Sequence, residues 1–159
     1  MRLTLTALAL TAGLMATPAA PALADDTAAI LAKQQANKEL VVKAYQELFG
    51  DKDMSSLDRY FREDYFQHNP TVPSGREALR KALLDWGFDK APKTRLNFLR
   101  TAADGDLVWL YSIYNDGKSD SAVVDIFRVQ DGKIAEHWDV AQPIPATTVS
   151  GNSMTGDMK

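Results

Sequence analysis

Three proton-handling side chains, Asp125, His137 and Asp139, fall within one short stretch, Val123 to Pro145 (VVDIFRVQDGKIAEHWDVAQPIP). Its alternating apolar pattern reads as two strands joined at Asp131-Gly132. Ionisable groups on an inward sheet face are costly unless they are paired or used. A carboxylate beside an imidazole can hold its tautomer and tune its charge. A carboxylate among apolar groups can take a proton from carbon or water. The chain has two histidines. The other, His68, lies in a second polar cluster, Tyr65-Phe66-Gln67-His68-Asn69-Pro70. Two such clusters point to a pocket. The plainer reading stands beside this one: Asp125 and His137 form a structural cross-strand pair, Asp139 is solvated, Asn69 anchors a turn and His68 is a satisfied core residue.

The turn after Val129 decides which side chains share a face. A two-residue loop, Asp131-Gly132, pairs Gln130 with Lys133 and splits Asp125 from His137 and Asp139. A three-residue loop pairs Val129 with Lys133, and then Asp125 faces His137 and Val123 faces Asp139. The second register gathers the three polar groups beside Phe127. It leaves Val124, Ile126, Ile134, Trp138 and Val140 on the opposite side. It separates polar from apolar better and is the register expected.

The elements that position these groups follow from periodicity. Residues 25–37 begin or extend a first helix, whose stripe is Val41, Tyr45 and Leu48, widened by Val42 and Phe49. Gly50 ends it. Ser55 or Ser56 starts a short helix carrying Leu57, Tyr60 and Phe61. Tyr65 to Asn69 reads as a strand stopped by Pro70. Ser74-Gly75-Arg76-Glu77 matches a capping box, and the helix after it is expected to bury Leu79, Leu83 and Trp86. Beyond Pro92 the period becomes two: strands at Arg95–Thr101, Leu107–Tyr114, Ser121–Val129 and Lys133–Gln142 form a meander. Helices followed by a meander give an α+β class, a conical roll of helices packed on one face of a curved antiparallel sheet. Both faces of Leu107–Tyr114 are apolar, so a second subunit is expected on the outer face. Thr147 to Lys159 is polar and expected to be disordered.

The first 24 residues read as a secretory signal peptide: Arg2, an apolar run, then Ala22-Leu23-Ala24. The run is too short to span a membrane. Removing it takes away one basic residue of 18, leaving 17 against 21 acidic ones. The basic residues are scattered, which excludes a nucleic-acid footprint. The chain has no cysteine, so disulfides and thiolate chemistry are excluded. The expected organisation is residues 1–24 as signal, 25–37 as a helical extension, 38–145 as one domain and 146–159 as a tail, in the periplasm or secreted.

The pieces YFQHNP, the helix from Gly75 and VDIFRVQDGKIAEHWDVAQPIP, in this order of elements, resemble the SnoaL-like polyketide cyclase group of the nuclear transport factor 2-like superfamily. The resemblance covers about Lys38 to Pro145. It implies a conical barrel, usually dimeric through the outer sheet face, with a deep pocket between helices and sheet. In that group an aspartate on the last strand serves as acid/base in aldol closure, with a histidine on the preceding strand. The matching positions are Asp139 and Asp125. Asp125 departs from histidine, and His137 offers an imidazole from the neighbouring strand.

The combined expectation is a cofactor-independent aldol-type lyase or isomerase. Its catalytic residues would be Asp139, His137, Asp125 and His68. Tyr65, Gln67, Asn69, Phe127 and Trp86 would line a pocket for a small apolar or carbonyl-containing ligand. A non-catalytic ligand-binding or accessory domain using the same pocket is the alternative. A metal held by His68, His137 and Asp139 is a third reading, without the local spacing that marks such sites. No cofactor, metal or nucleic-acid partner is expected. If the signal reading is right, the intact mass of the exported protein matches a chain beginning at Asp25; a dominant full-length mass contradicts it.

Overall fold

A computed structural model describes residues 20–115 and 117–156. Most of the expected signal segment lies outside them. Helix α1 (Ala20–Tyr45) runs into one π-helical turn, Gln46–Gly50. Helix α2 (Ser56–Tyr60) leads directly into strand β1 (Phe61–Gln67), and helix α3 (Arg76–Asp85) follows. The meander is β2 (Phe98–Asp104), β3 (Leu107–Asn115), β4 (Asp120–Gln130) and β5 (Lys133–Pro143). The sheet order is β1-β5-β4-β3-β2. The four meander strands are antiparallel, and β1 joins the β5 edge in parallel, so the sheet is mixed. The α+β cone expected from the order of elements is the one observed.

The core lies between the helices and the concave sheet face. Val41 and Ala44 from α1 and Leu48 from the π-helical turn meet Leu57, Phe61, Leu79, Leu83, Val108, Leu110, Phe127 and Ile134. Burying a side chain of this size contributes about 1.5–3 kcal/mol. The turn at Gly50 is fixed by close approach. A Cβ there would run into the Gln46 side chain and lie 2.7 Å from the Thr94 carbonyl.

The β4–β5 register corrects the expected one. Gln130 pairs with Lys133, so the loop has two residues, Asp131 (φ 53°) and Gly132 (φ 71°). Positive φ at both marks a type I′ turn, whose twist suits a hairpin. The pairing then shifts: Val129 opposes Ile134, but Arg128 opposes Glu136. Ala135 is the extra residue of a β-bulge. Ile134 is therefore buried in the core rather than on the outer face. Past the bulge Phe127 opposes His137 and Asp125 opposes Asp139. The three polar groups do share the inner face, brought there by the bulge and not by a longer loop.

Two local expectations also change. Ser74 does not cap α3; the N-cap is Gly75 (φ 99°), and the Ser74 hydroxyl accepts from the Gln67 N–H at 3.0 Å. Trp86 falls on the stripe of Leu79 and Leu83 but stands at the C-cap, past the last helical residue Asp85, and is 58% exposed. Residues 146–156 run as turns, and the Tyr111 hydroxyl on the outer face donates to the Met154 carbonyl at 2.8 Å.

Gly132 has no atom within 4 Å of where a Cβ would stand, so its role is conformational. Gly132→Ala is expected to lower stability by about 1 kcal/mol, because a Cβ penalises positive φ. Urea denaturation measures this; an unchanged midpoint contradicts the turn assignment.

Candidate active site

The inner face of β4 and β5 and the end of β1 bring one polar cluster together beneath α1. Asp125 is 2% exposed and His137 6%. His137 Nε2 lies 3.1 Å from Asp125 Oδ1, and the Tyr45 hydroxyl donates to the same oxygen at 3.1 Å. His137 Nδ1 lies 2.9 Å from Gln67 Oε1. The Phe127 ring packs on the imidazole at 4.7 Å. Asp125 Oδ2 is buried with no hydrogen-bond partner among the described residues.

β1 supplies the other wall. Gln67 pairs with His137 across the parallel ladder, and the period of two then sends Gln67 and Asn69 inward. Gln67 Nε2 donates to the Tyr65 hydroxyl at 3.0 Å, while Gln67 Oε1 accepts from the Asn69 backbone N–H at 3.0 Å. Asn69 Nδ2 reaches both carboxylate oxygens of Asp139, at 2.9 and 2.7 Å. The Asn69 amide is oriented by Thr71, whose N–H and hydroxyl donate to its Oδ1 at 2.8 and 2.7 Å. Asp139 is half-buried and is the carboxylate nearer solvent.

His68 is not in this cluster. Alternation along β1 turns it to the outer face, where its ring stacks on Trp138 at 4.5 Å and 7° and its Nε2 lies 2.8 Å from Glu136. Glu136 also accepts from Arg128 at 2.7 Å. His68 and Arg128 hold the Glu136 carboxyl below its ordinary range. The exposed Trp86 likewise stands off the cluster. The remaining expected lining residues, Tyr65, Gln67, Asn69 and Phe127, are in it.

Tyr45 is the member that pattern reading missed. It falls on the apolar stripe of α1 and reads as core. Its signal is the hydroxyl, since a tyrosine on a buried stripe needs a partner for that group. The residue is half-buried, and its hydroxyl reaches inward to the buried Asp125. Burial, then the Asp125 charge and hydrogen bond, push the Tyr45 hydroxyl well above its ordinary value. Burial, followed by the charges of Asp139 and Asp125, also raises the Tyr65 hydroxyl. Both hydroxyls keep their protons at neutral pH; Tyr45 donates its own to Asp125, and Tyr65 accepts from Gln67.

Aromatic rings pack the space beside the cluster. Tyr45 packs on Phe49 (4.4 Å), Phe127 (5.4 Å) and Phe98 (6.2 Å), and Phe49 packs on Phe88 (5.4 Å). Two surface recesses, of about 620 and 290 Å³, are lined by Arg62, Glu63, Asp64, Arg76 and Lys133 and by Gln46, Asp51, Lys93, Thr94 and Arg95. Neither is lined by Asp125, His137 or Asp139. Gln67, Asn69 and Asp139 are half-buried, so solvent reaches the cluster on their side.

One ligand atom each from Asp125, His137 and Asp139 lies within 4.8 Å of the others. Both imidazole nitrogens are already engaged, so a cation there would have to displace Gln67 or Asp125. The set with His68 is not assembled, because His68 faces the other way.

The model of the SnoaL-like domain matches residues 42–137, more than half of the chain. The chain belongs to the SnoaL-like domain family. Among solved structures it is similar to IdmH of Streptomyces antibioticus, a proposed polyketide cyclase. That match has 21% identity and a TM-score of 0.51, covering 67% of this chain and 91% of that one. A proposed ketosteroid isomerase from Kribbella flavida matches at 16% identity and TM-score 0.57, over 72% and 84%. An epoxide hydrolase from M. tuberculosis, of the LEH-like type, matches at 19% and 0.55, over 69% and 85%. At these identities the likeness concerns the fold. The chain matches none of the curated proteins.

The two raised tyrosines set a sign for alkaline stability. Their contribution is fully present below about pH 10, where the unfolded chain keeps these protons. It is lost as pH rises toward the folded values. Tyr45→Phe is expected to flatten the fall of unfolding free energy between about pH 10 and 11 by up to ~1.4 kcal/mol per pH unit. Equal slopes for the two proteins contradict the enclosure of this hydroxyl.

Proposed function

We propose that this SnoaL-like protein transfers a proton on a small carbonyl-containing ligand, with Asp139 as the acid/base, in a lyase or isomerase reaction of aldol type. The observation that carries the reading is the division of labour between two carboxylates. Asp125 is buried and bound to His137 and Tyr45. Asp139 is half-buried, oriented by Asn69 and placed toward solvent. A base must reach its proton and be held in place, and Asp139 meets both demands. A C–H next to a carbonyl would give its proton to an Asp139 oxygen, and the electron pair would move onto the carbonyl oxygen as an enolate. The Asn69 and Gln67 side chains lie nearby to orient the ligand. His68, on the outer face, has no part in this step.

Asn69 already engages both carboxylate oxygens of Asp139, which favours a second reading, a ligand-binding domain without turnover. An exported, periplasmic or secreted location after removal of Met1–Ala24 belongs to the same proposal. So does a homodimer formed through the outer sheet face. Trp109, Tyr111, Ile113, Ile126 and Trp138 there are only half-buried, and Phe66 and Val140 are exposed. Such a contact should bury more than about 1,000 Å².

Hydrogen–deuterium exchange at carbon separates turnover from binding. A panel of small ketones and β-keto esters is incubated with the protein in D2O and followed by proton NMR. Protein-dependent exchange is expected, and Asp139→Asn should reduce it at least about 100-fold while the fold persists. Exchange that survives in the Asn variant removes Asp139 from the role. Saturable binding without exchange supports the binding domain.

A further inference from the structure

We propose that Gln67 is the positioning residue of the cluster: its side-chain carbonyl holds a proton on His137 Nδ1, which leaves His137 Nε2 and Asp125 to share a second proton. The argument begins with the direction of one amide. Gln67 Oε1 accepts the Asn69 backbone N–H, and Gln67 Nε2 donates to the Tyr65 hydroxyl. Flipping the amide would set an NH2 group against the Asn69 backbone N–H and lose that bond, whereas the Tyr65 hydroxyl, donor and acceptor, serves either orientation. An amide nitrogen has no lone pair to accept with. The atom that faces His137 Nδ1 at 2.9 Å is therefore an acceptor, and Nδ1 must be the donor.

The consequence appears at the other side of the ring. A neutral imidazole with its proton on Nδ1 carries a lone pair on Nε2. That lone pair would face Asp125 Oδ1 at 3.1 Å, an oxygen that already accepts from Tyr45. Two lone pairs at this distance repel. One further proton turns the contact into a charge-assisted hydrogen bond, whether it resides on nitrogen or on oxygen.

The sheet register supplies a second, independent reason. Asp125 and Asp139 are direct cross-strand partners on one face. Like charges in that relation destabilise a sheet. A proton held between His137 and Asp125 leaves that pair neutral as a unit and Asp139 as the one net charge. The groups facing the imidazole are Gln67 from β1, Asp125 and Phe127 from β4, and Asp139 on β5 itself. Tyr45 reaches Asp125 from α1.

The inference rests on the proton-transfer reading only in its last step. With both His137 nitrogens engaged, Asp139 is the group left to exchange a proton with a ligand. The protonation pattern itself is measurable without any substrate.

The test is long-range proton–nitrogen correlation NMR on the full 15N-labelled chain at about pH 8, where an unperturbed histidine is neutral. With two histidines in the chain, His68→Gln assigns the His137 ring by subtraction. In the wild-type protein Nδ1 of His137 is expected to give a protonated, N–H-type nitrogen shift. In Gln67→Leu the Nδ1 proton should be lost to solvent, leaving one proton on Nε2 donated to Asp125, and Nδ1 should become lone-pair type. Gln67→Glu keeps an acceptor in place and should retain the Nδ1 proton. A lone-pair-type Nδ1 in the wild-type protein overturns the proposal. So does a folded Gln67→Leu with an unchanged ring spectrum. If Gln67→Leu does not fold, the wild-type and Gln67→Glu spectra decide alone.

Discussion

The contact between Asp125 and His137 constrains everything around it. A carboxylate and an imidazole buried this deeply are tolerated only with partners in hand. The surrounding sequence provides them from every layer of the fold. α1 contributes the Tyr45 hydroxyl to Asp125, and β1 contributes the Gln67 carbonyl to His137. A bulge at Ala135 brings His137 and Asp139 onto the face that Asp125 already occupies. Remove any one of these and a buried polar group is left unsatisfied, at a cost of about 1–3 kcal/mol. The inner polar cluster is thus a structural knot first, with its possible chemistry confined to the edge where Asp139 is half-exposed.

That division separates the packed part of the cone from the edge that reaches solvent. The aromatic rings of Tyr45, Phe49, Phe98 and Phe127 pack beside the cluster and keep water from Asp125. The polar edge built by Asn69, Thr71 and Asp139 stays within reach of solvent. The outer face of the sheet carries a separate group, in which His68 is stacked on Trp138 and Glu136 joins His68 to Arg128. The two faces have distinct electrostatics because β1 alternates, and His68 and His137 serve different surfaces.

Much of this was legible in the chain, for identifiable reasons. The change of period at Pro92 separated helices from meander, and the clustering of Asp125, His137 and Asp139 marked the site. The rest was hidden where two local rules competed. Asp131-Gly132 is a strong type I′ signal, yet a two-residue loop alone would split the polar groups. Only a bulge reconciles the two, and alanine at position 135 carries no signal of a bulge. Ser74 matched a capping pattern, but Gln67 offered its hydroxyl a different partner. Two polar clusters point to one pocket, which turns His68 inward; the parallel pairing of Gln67 with His137 sets its face instead. Tyr45 was concealed by its own apolar stripe.

The most direct test of this account is a double-mutant cycle on stability between Asp125→Asn and His137→Gln, followed by urea denaturation. If the two side chains satisfy each other in the core, their effects are strongly non-additive, with a coupling of about 1–3 kcal/mol. Effects that add to within about 0.5 kcal/mol would mean that the two groups do not depend on each other, and the cluster described here would lose its centre.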